Sequence, residues 1–250
     1  MDEDGLLDLW RCEHQRPVKG WDFSELDGRH LEQQPPWSYD ALARSALTGA
    51  TSALDMGTGG GEVLCRLVDA LPEDTVATEG WPPNLPAARK SLAPLGIEVV
   101  EYDAERDAAM PFDDGRFDVV LNRHEAYRAA EVLRILRPNG RFLTQQVDGR
   151  DFEETQEIFG GQSAWAHITL DNLRAEAVEA GFEIEEAQEW QGNATFADVA
   201  TLVRYFAFVP WEVPEDFTVD RYAEQLLELH KAGRQLTFTQ RRFYLLCRSK

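Results

Sequence analysis

Four glycines follow an acidic residue in Leu54-Asp55-Met56-Gly57-Thr58-Gly59-Gly60-Gly61-Glu62. Glycines directly after a strand and before a helix let the backbone turn sharply and approach a ligand closely. A dinucleotide fingerprint starting at Gly57 would need glycine at position 62, where this chain has Glu62. Carboxylates at Asp55 and Glu62 would repel a pyrophosphate, which seeks the positive end of a helix. The loop suits a ligand with hydroxyls and positive charge and no phosphates, which disfavours a nicotinamide enzyme. Two further carboxylates stand at comparable places. Glu79 ends the next strand-like run and is placed to accept hydrogen bonds from a ribose diol. Asp103, with Ala104 after it, ends the third run and is placed to accept from an adenine amino group. Ligands of open parallel sheets bind at the carboxyl ends of the strands, so three acids at successive strand ends reinforce one another.

The fourth run ends in Asn122-Arg123-His124-Glu125. A histidine there titrates in the range of a general base, contacts a substrate, or serves the backbone at a helix start. Asn122 is not followed by two prolines and an aromatic, and the loop after it holds no cysteine. Gln145 and Gln146 end the fifth run and are open to the same crevice. His14, His30, His167 and His230 are isolated, and Cys12, Cys65 and Cys247 are far apart and never in a CxxC pair. No metal cluster and no disulfide framework is expected.

The elements that must hold these residues alternate. Ser52–Met56, Thr75–Glu79, Ile97–Asp103, Phe117–Asn122 and Arg141–Val147 read as strands separated by helical patterns, the mark of βαβ units and a parallel sheet. Leu64, Leu67, Val68 and Leu71 share a helical face that stops at Pro72. Phe182–Glu185 and Phe238–Cys247 complete seven strands. Ser38 is a plausible N-cap for a helix carrying Tyr39, Leu42, Ala43 and Ala46. The expected organisation is one domain over residues 1–250: a helical cap at 1–48, a core at 51–190 and 237–250, and a helical insertion or lid at 191–236. Aromatic residues crowd the segments outside the sheet, among them Trp10, Trp21, Trp37, Phe152, Phe159, Trp165, Phe206 and Trp211. Most are expected in the core, with Trp37 and Trp211 as candidates for a lid over an apolar or aromatic molecule.

The chain has 250 residues and a formal net charge of −20. Phosphate backbones are bound by neutralising them with Lys and Arg, so a nucleic-acid partner is disfavoured, and an RNA-acting enzyme is the alternative that would need a basic face. No stretch approaches the roughly 20 apolar residues of a membrane helix. The acidic start, Met1-Asp2-Glu3-Asp4, lacks the pattern of a secretory signal, and a cytoplasmic location is expected by default.

The spacing Asp55-x-Gly57-x-Gly59-x-Gly61, with Glu79 and Asp103 after it, resembles the class I S-adenosylmethionine-dependent methyltransferases, most of all their small-molecule branch. Pro111-Phe112-Asp113-Asp114-Gly115-Arg116-Phe117-Asp118 is similar to that family's turn into the fourth strand. Leu136-Arg137-Pro138-Asn139-Gly140 is similar to its turn into the fifth, although Arg141 replaces the usual second glycine. The resemblance covers residues 51–147 well and 170–184 and 238–247 more loosely. It implies a Rossmann-like α/β fold, doubly wound on a mostly parallel seven-stranded sheet with an antiparallel last strand. The cofactor it implies is S-adenosylmethionine, held by Asp55, Met56, Gly57, Thr58, Gly59, Gly61, Glu79, Gly80, Trp81, Asp103, Ala104 and Asn122, with Trp81 flanking the adenine. His124 is the expected catalytic group, and methyl transfer to oxygen or nitrogen of a small molecule the expected activity. A protein that binds the cofactor without catalysis is the other alternative.

Overall fold

The computed structural model describes residues 1–18, 23–106, 109–233 and 235–250; Trp21 lies outside them. The strands are β1 (His30–Glu32), β2 (Ser52–Met56), β3 (Asp74–Glu79), β4 (Glu98–Glu101), β5 (Phe117–Arg123), β6 (Leu136–Val147), β7 (Glu183–Phe196) and β8 (Leu236–Arg248). They form an eight-stranded sheet in the order β1-β7-β8-β6-β5-β2-β3-β4. Neighbouring pairs from β4 to β6 are parallel, whereas β8 runs antiparallel to β6 and β1 antiparallel to β7. The mostly parallel sheet with its antiparallel last strand is therefore as expected, with one strand more. That strand, β1, lies in the segment read as a helical cap; three residues are too few to carry a period. β7 also runs to Phe196, so its last six residues lie inside the expected helical insertion. Its alternation is present there, with Gly192, Ala194 and Phe196 buried between less buried neighbours, but two of the three buried positions hold small residues.

Two compact units divide the chain. One comprises residues 1–35, 148–167 and 190–241. Its core gathers Trp10 from α1 (Glu3–Gln15), Phe159 from α6 (Glu153–Phe159), Phe206 from α8 (Val199–Phe208) and Leu226 from α9 (Ala223–Lys231), together with Phe152, Phe196 and Phe238. The aromatics outside the sheet are thus mainly packing residues; Trp165 and Trp211 instead meet edge to face at the surface.

The other unit comprises residues 36–147, 168–189 and 242–250. Ser38 caps α2 (Tyr39–Leu47) as expected, accepting the Ala41 N–H. Turn glycines lead into α3 (Glu62–Leu67), which stops four residues short of Leu71. The remaining helices are α4 (Leu85–Leu92), α5 (Ala129–Ile135) and α7 (Leu170–Ala180). β2 is buried along its whole length, and Val119 to Asn122 of β5 likewise, as a central strand covered on both faces requires. The order β3-β2-β5 makes the gap between β2 and β5 a topological switch point, where a parallel sheet opens a crevice at its carboxyl edge.

Asp118 locks the opposite, amino-terminal edge. Its carboxylate accepts the Thr51 N–H at 2.8 Å, the Thr51 hydroxyl at 2.7 Å, the Ser52 N–H at 3.1 Å and an Arg137 N–H at 2.9 Å. Burial opposes its ionisation, yet Thr51 and Arg137 hold it well below the ordinary carboxylate range. Asp118→Ala strands these donors and should cost about 2 kcal/mol. Thermal denaturation should register this as a fall of about 4–8 °C.

Candidate functional site

β2 and β5 pair so that Asp55 lies opposite Leu121 and Met56 opposite Asn122, and both strands stop at the crevice. Beyond Met56 the chain turns through Gly57, Gly59 and Gly61, all at positive φ, before α3 begins. At Gly57 no side chain fits: an added Cβ would lie 2.6 Å from both Cβ and Cγ of Glu125. Gly80 is equally constrained, since its Cβ would come within 2.8 Å of the Asp103 Cα and the Tyr102 carbonyl oxygen. The ends of β3 and β4 thereby close on one another and bring the segments bearing Glu79 and Asp103 together.

The acids occupy distinct environments. Glu79 is 4% exposed, and its two oxygens accept the Gly59 N–H at 2.7 Å and the Trp81 N–H at 2.8 Å. This carboxylate ties the glycine turn to the end of β3. Asp103 accepts the Glu105 and Arg106 N–H groups, capping the turn that follows it. Asp55 is 3% exposed; burial raises its pKa to about 7 against the Thr58 hydroxyl, and the charge of Glu79 adds to the rise. Glu125 is also raised to about 7, first by burial and then by Glu79, Asp103 and Glu105. No salt bridge reaches Asp55, Glu79 or Glu125 among the described residues. Burial and the neighbouring acids together make Asp55 and Glu125 hold their protons more tightly than ordinary carboxyl groups.

Met56, Thr58 and Ala104 are buried at the turn and at the strand end, while Trp81 is 46% exposed beside the crevice. Asn122 is fully buried, and its side chain is occupied within the protein. Its oxygen accepts from the Thr144 hydroxyl at 3.0 Å and from Gln146 at 2.8 Å, and its amide donates to the Glu125 carbonyl at 3.1 Å. This amide fixes the loop after β5 and has little left for a ligand.

His124 follows β5 at φ +64°, a left-handed conformation uncommon for a residue with a Cβ. Its N–H donates to the Gln145 carbonyl at 2.9 Å, and its Nε2 lies 3.4 Å from Gln145 Nε2. The residue keeps solvent access. Surrounding protein lowers the pKa of its ring, and Arg123 and Arg242 lower it further, so the imidazole is neutral near pH 7. The expected site residues therefore gather at one sheet edge. Glu125 is the residue the sequence pattern passed over: nothing in its spacing announced that its side chain lies across Gly57, and only its adjacency to His124 hinted at it.

No group of His, Cys, Asp and Glu side chains that could hold a metal ion, and no helix long and apolar enough to cross a membrane, occurs among the described residues.

Comparison with known proteins gives the same reading. Residues 54–144 match the family described as "Methyltransferase domain". The ubiquinone/menaquinone biosynthesis C-methyltransferase UbiE of Desulfotalea psychrophila is 31% identical over 135 residues, which are 48% of this chain and 54% of that protein. The chain thus spans about half the length of the curated relative it matches. Among solved structures, YcgJ of Bacillus subtilis superimposes with a TM-score of 0.60 at 14% identity, covering 85% of this chain and 98% of its own. A functionally unknown protein of Deinococcus radiodurans gives 0.60 at 16% identity, covering 99% and 100%. An S-adenosylmethionine dependent methyltransferase of Mesorhizobium loti gives 0.52 at 14% identity, covering 84% and 98%. At these identities the superpositions show the fold, and within it residues 54–144 are similar to the methyltransferase domain family.

Proposed function

We propose that this protein transfers a methyl group from S-adenosylmethionine to a small-molecule acceptor. The observation that carries the reading is the acidic crevice at the β2/β5 switch point, where the Glu125 side chain packs on the bare backbone of Gly57 and Asp55, Glu79 and Glu125 have no ion pair among the described residues. A ligand with a sulfonium, an ammonium and a ribose diol fits that donor set; a phosphate does not. When bound, the cofactor supplies a methyl group already activated on positive sulfur.

The chain's own residues then bind, orient and exclude water. Glu79, anchored by two backbone N–H groups, keeps lone pairs for a diol. Glu125 lies over the glycine turn, so its carboxylate serves the cofactor side of the crevice. The acceptor side begins at Arg123 and His124. The residue pattern favours oxygen or nitrogen as acceptor atom, and the Desulfotalea relative, a C-methyltransferase by name, adds carbon. The net charge of −20 argues against RNA as acceptor.

Calorimetry with S-adenosylmethionine and S-adenosylhomocysteine tests the reading. Glu79→Ala should weaken both by at least about tenfold, some 1.4 kcal/mol, and Gly57→Ala should abolish binding while the protein stays folded. Undiminished affinity in both variants, or no binding to the unaltered protein, would discard it.

The raised acids add a pH signature. Asp55 and Glu125, with pKa values about 7, hold protons in the folded apoprotein that an unfolded chain has lost above about pH 5. Their contribution therefore favours the apoprotein at low pH and is lost as pH rises through about 7. A cationic ligand needs them ionised, so its affinity should climb over the same interval. The preference for S-adenosylmethionine over its uncharged thioether product should be larger at pH 8.5 than at pH 6. Asp55→Asn with Glu125→Gln should flatten that difference; a pH-independent ratio in the unaltered protein would refute the coupling.

A further inference from the structure

The acceptor side of the crevice has the opposite polarity to the cofactor side, and its hydrogen-bond donors are fixed by a chain of three side chains. Arg123, Gln145 and Tyr244 stand opposite one another across β5, β6 and β8 and so share one face of the sheet. Trp37 packs edge-on against the Tyr244 ring, centroids 5.0 Å apart, and donates its indole N–H to the Gln145 oxygen at 2.8 Å. An indole nitrogen can only donate, so the Gln145 amide is held with its oxygen toward Trp37 and its NH2 toward His124. That NH2 can only donate as well. His124 Nε2, 3.4 Å away, is therefore the acceptor of the contact, and the ring proton sits on Nδ1.

Two consequences follow. The one lone pair of a neutral imidazole is turned toward Gln145, so His124 offers the crevice a donor and no base. No hydrogen bond involves the Nδ1–H among the described residues. Arg123 beside it is exposed, lies over the Tyr39 ring at 5.7 Å and has no ion pair among the described residues, although Asp40 and Asp55 feel its charge. Arg242, across the sheet face, adds positive potential at the imidazole.

Resting on the methyltransferase reading above, we infer that the acceptor arrives as an oxygen anion (an enolate, a phenolate or a carboxylate) which Arg123 and the His124 Nδ1–H receive. The acceptor's electron pair forms the new bond to the methyl carbon while the carbon–sulfur pair returns to sulfur. Anion and sulfonium both end neutral, and no proton changes hands, so no base is required at position 124. An enolate takes the methyl on carbon or oxygen, a phenolate or carboxylate on oxygen; a neutral amine has no counterpart at this site.

Three measurements on one preparation test this. Calorimetry with S-adenosylhomocysteine comes first, and its failure would overturn the methyltransferase reading along with the inference. On the protein saturated with that ligand, benzoate is then compared with benzamide, and 4-nitrophenolate with nitrobenzene, at pH 8.5. The inference expects at least one anion to bind about tenfold or more tightly than its neutral partner, and the preference to disappear in Arg123→Gln. The benzoate arm reports a carboxylate site and the nitrophenolate arm a phenolate or enolate site. Equal or absent binding within both pairs overturns the inference and leaves the cofactor reading intact. Long-range proton–nitrogen NMR of His124 supplies the third readout: Nε2 should carry the resonance of an unprotonated ring nitrogen, and Gln145→Leu should shift the population toward Nε2–H. A ring protonated at Nε2 in the unaltered protein also overturns it.

Discussion

Acids buried close together without an ion pair are costly, and the rest of this domain is arranged around that cost. Burial favours the protonated form of Asp55 and Glu125, and the charge of Glu79 makes both harder to ionise. A fold under selection for stability alone would place a lysine or an aliphatic residue there. The domain offsets the cost at its other edge, where Asp118 gathers four hydrogen bonds from Thr51, Ser52 and Arg137 and fixes the starts of β2 and β5. With those starts fixed and both strands buried, the carboxyl ends have little freedom to spread and relieve the repulsion. The acids stay close because the sheet holds them close, which is how a site becomes selective for a cation before the cation arrives.

Much of this was legible in the residues. Asp55, Glu79 and Asp103 could be placed because a parallel sheet puts strand ends on one edge, and sequence spacing identifies strand ends well when each strand is a buried apolar run. The glycine turn was legible for the same reason, since only close approach demands glycines directly after such a run. β1 was not, because three residues carry no period, and the later half of β7 was hidden because Gly192 and Ala194 occupy its buried positions. Asn122 stands where the pattern put it, at the end of β5, but its amide is consumed by Thr144, Gln146 and the Glu125 carbonyl, partners distant in sequence or supplied by backbone. Glu125 escaped notice because its importance comes from lying over Gly57, a tertiary fact no spacing expresses.

At His124 residue type and surroundings favour different roles. A histidine at the end of the fourth parallel strand invites the role of base, and its ordinary pKa encourages that. Two features of its surroundings point elsewhere. Crowding and two arginines favour the neutral ring, and the Trp37–Gln145 pair decides which nitrogen holds the proton. Histidine chemistry is set by what the other ring nitrogen touches, and here that contact comes from the neighbouring strand and from the segment before α2.

The two sides of the crevice then divide the electrostatic work. Acidic groups around the glycine turn suit a positively charged donor, while Arg123, Arg242 and a donor-only imidazole suit an anion. Moving a methyl group from a sulfonium to an anion destroys one positive and one negative charge. A site that stabilised both charges equally well in the ground state would slow the step, because charge is being lost as the transition state forms. Asp55 and Glu125, only part ionised near pH 7, and the neutral His124 moderate that problem. Binding strength is thus held below its electrostatic maximum on both sides, and the fold spends its rigidity on alignment instead. The left-handed φ of His124 and the bare backbone of Gly57 belong to the same arrangement: Glu125, next to His124, lies where only a glycine at position 57 leaves space.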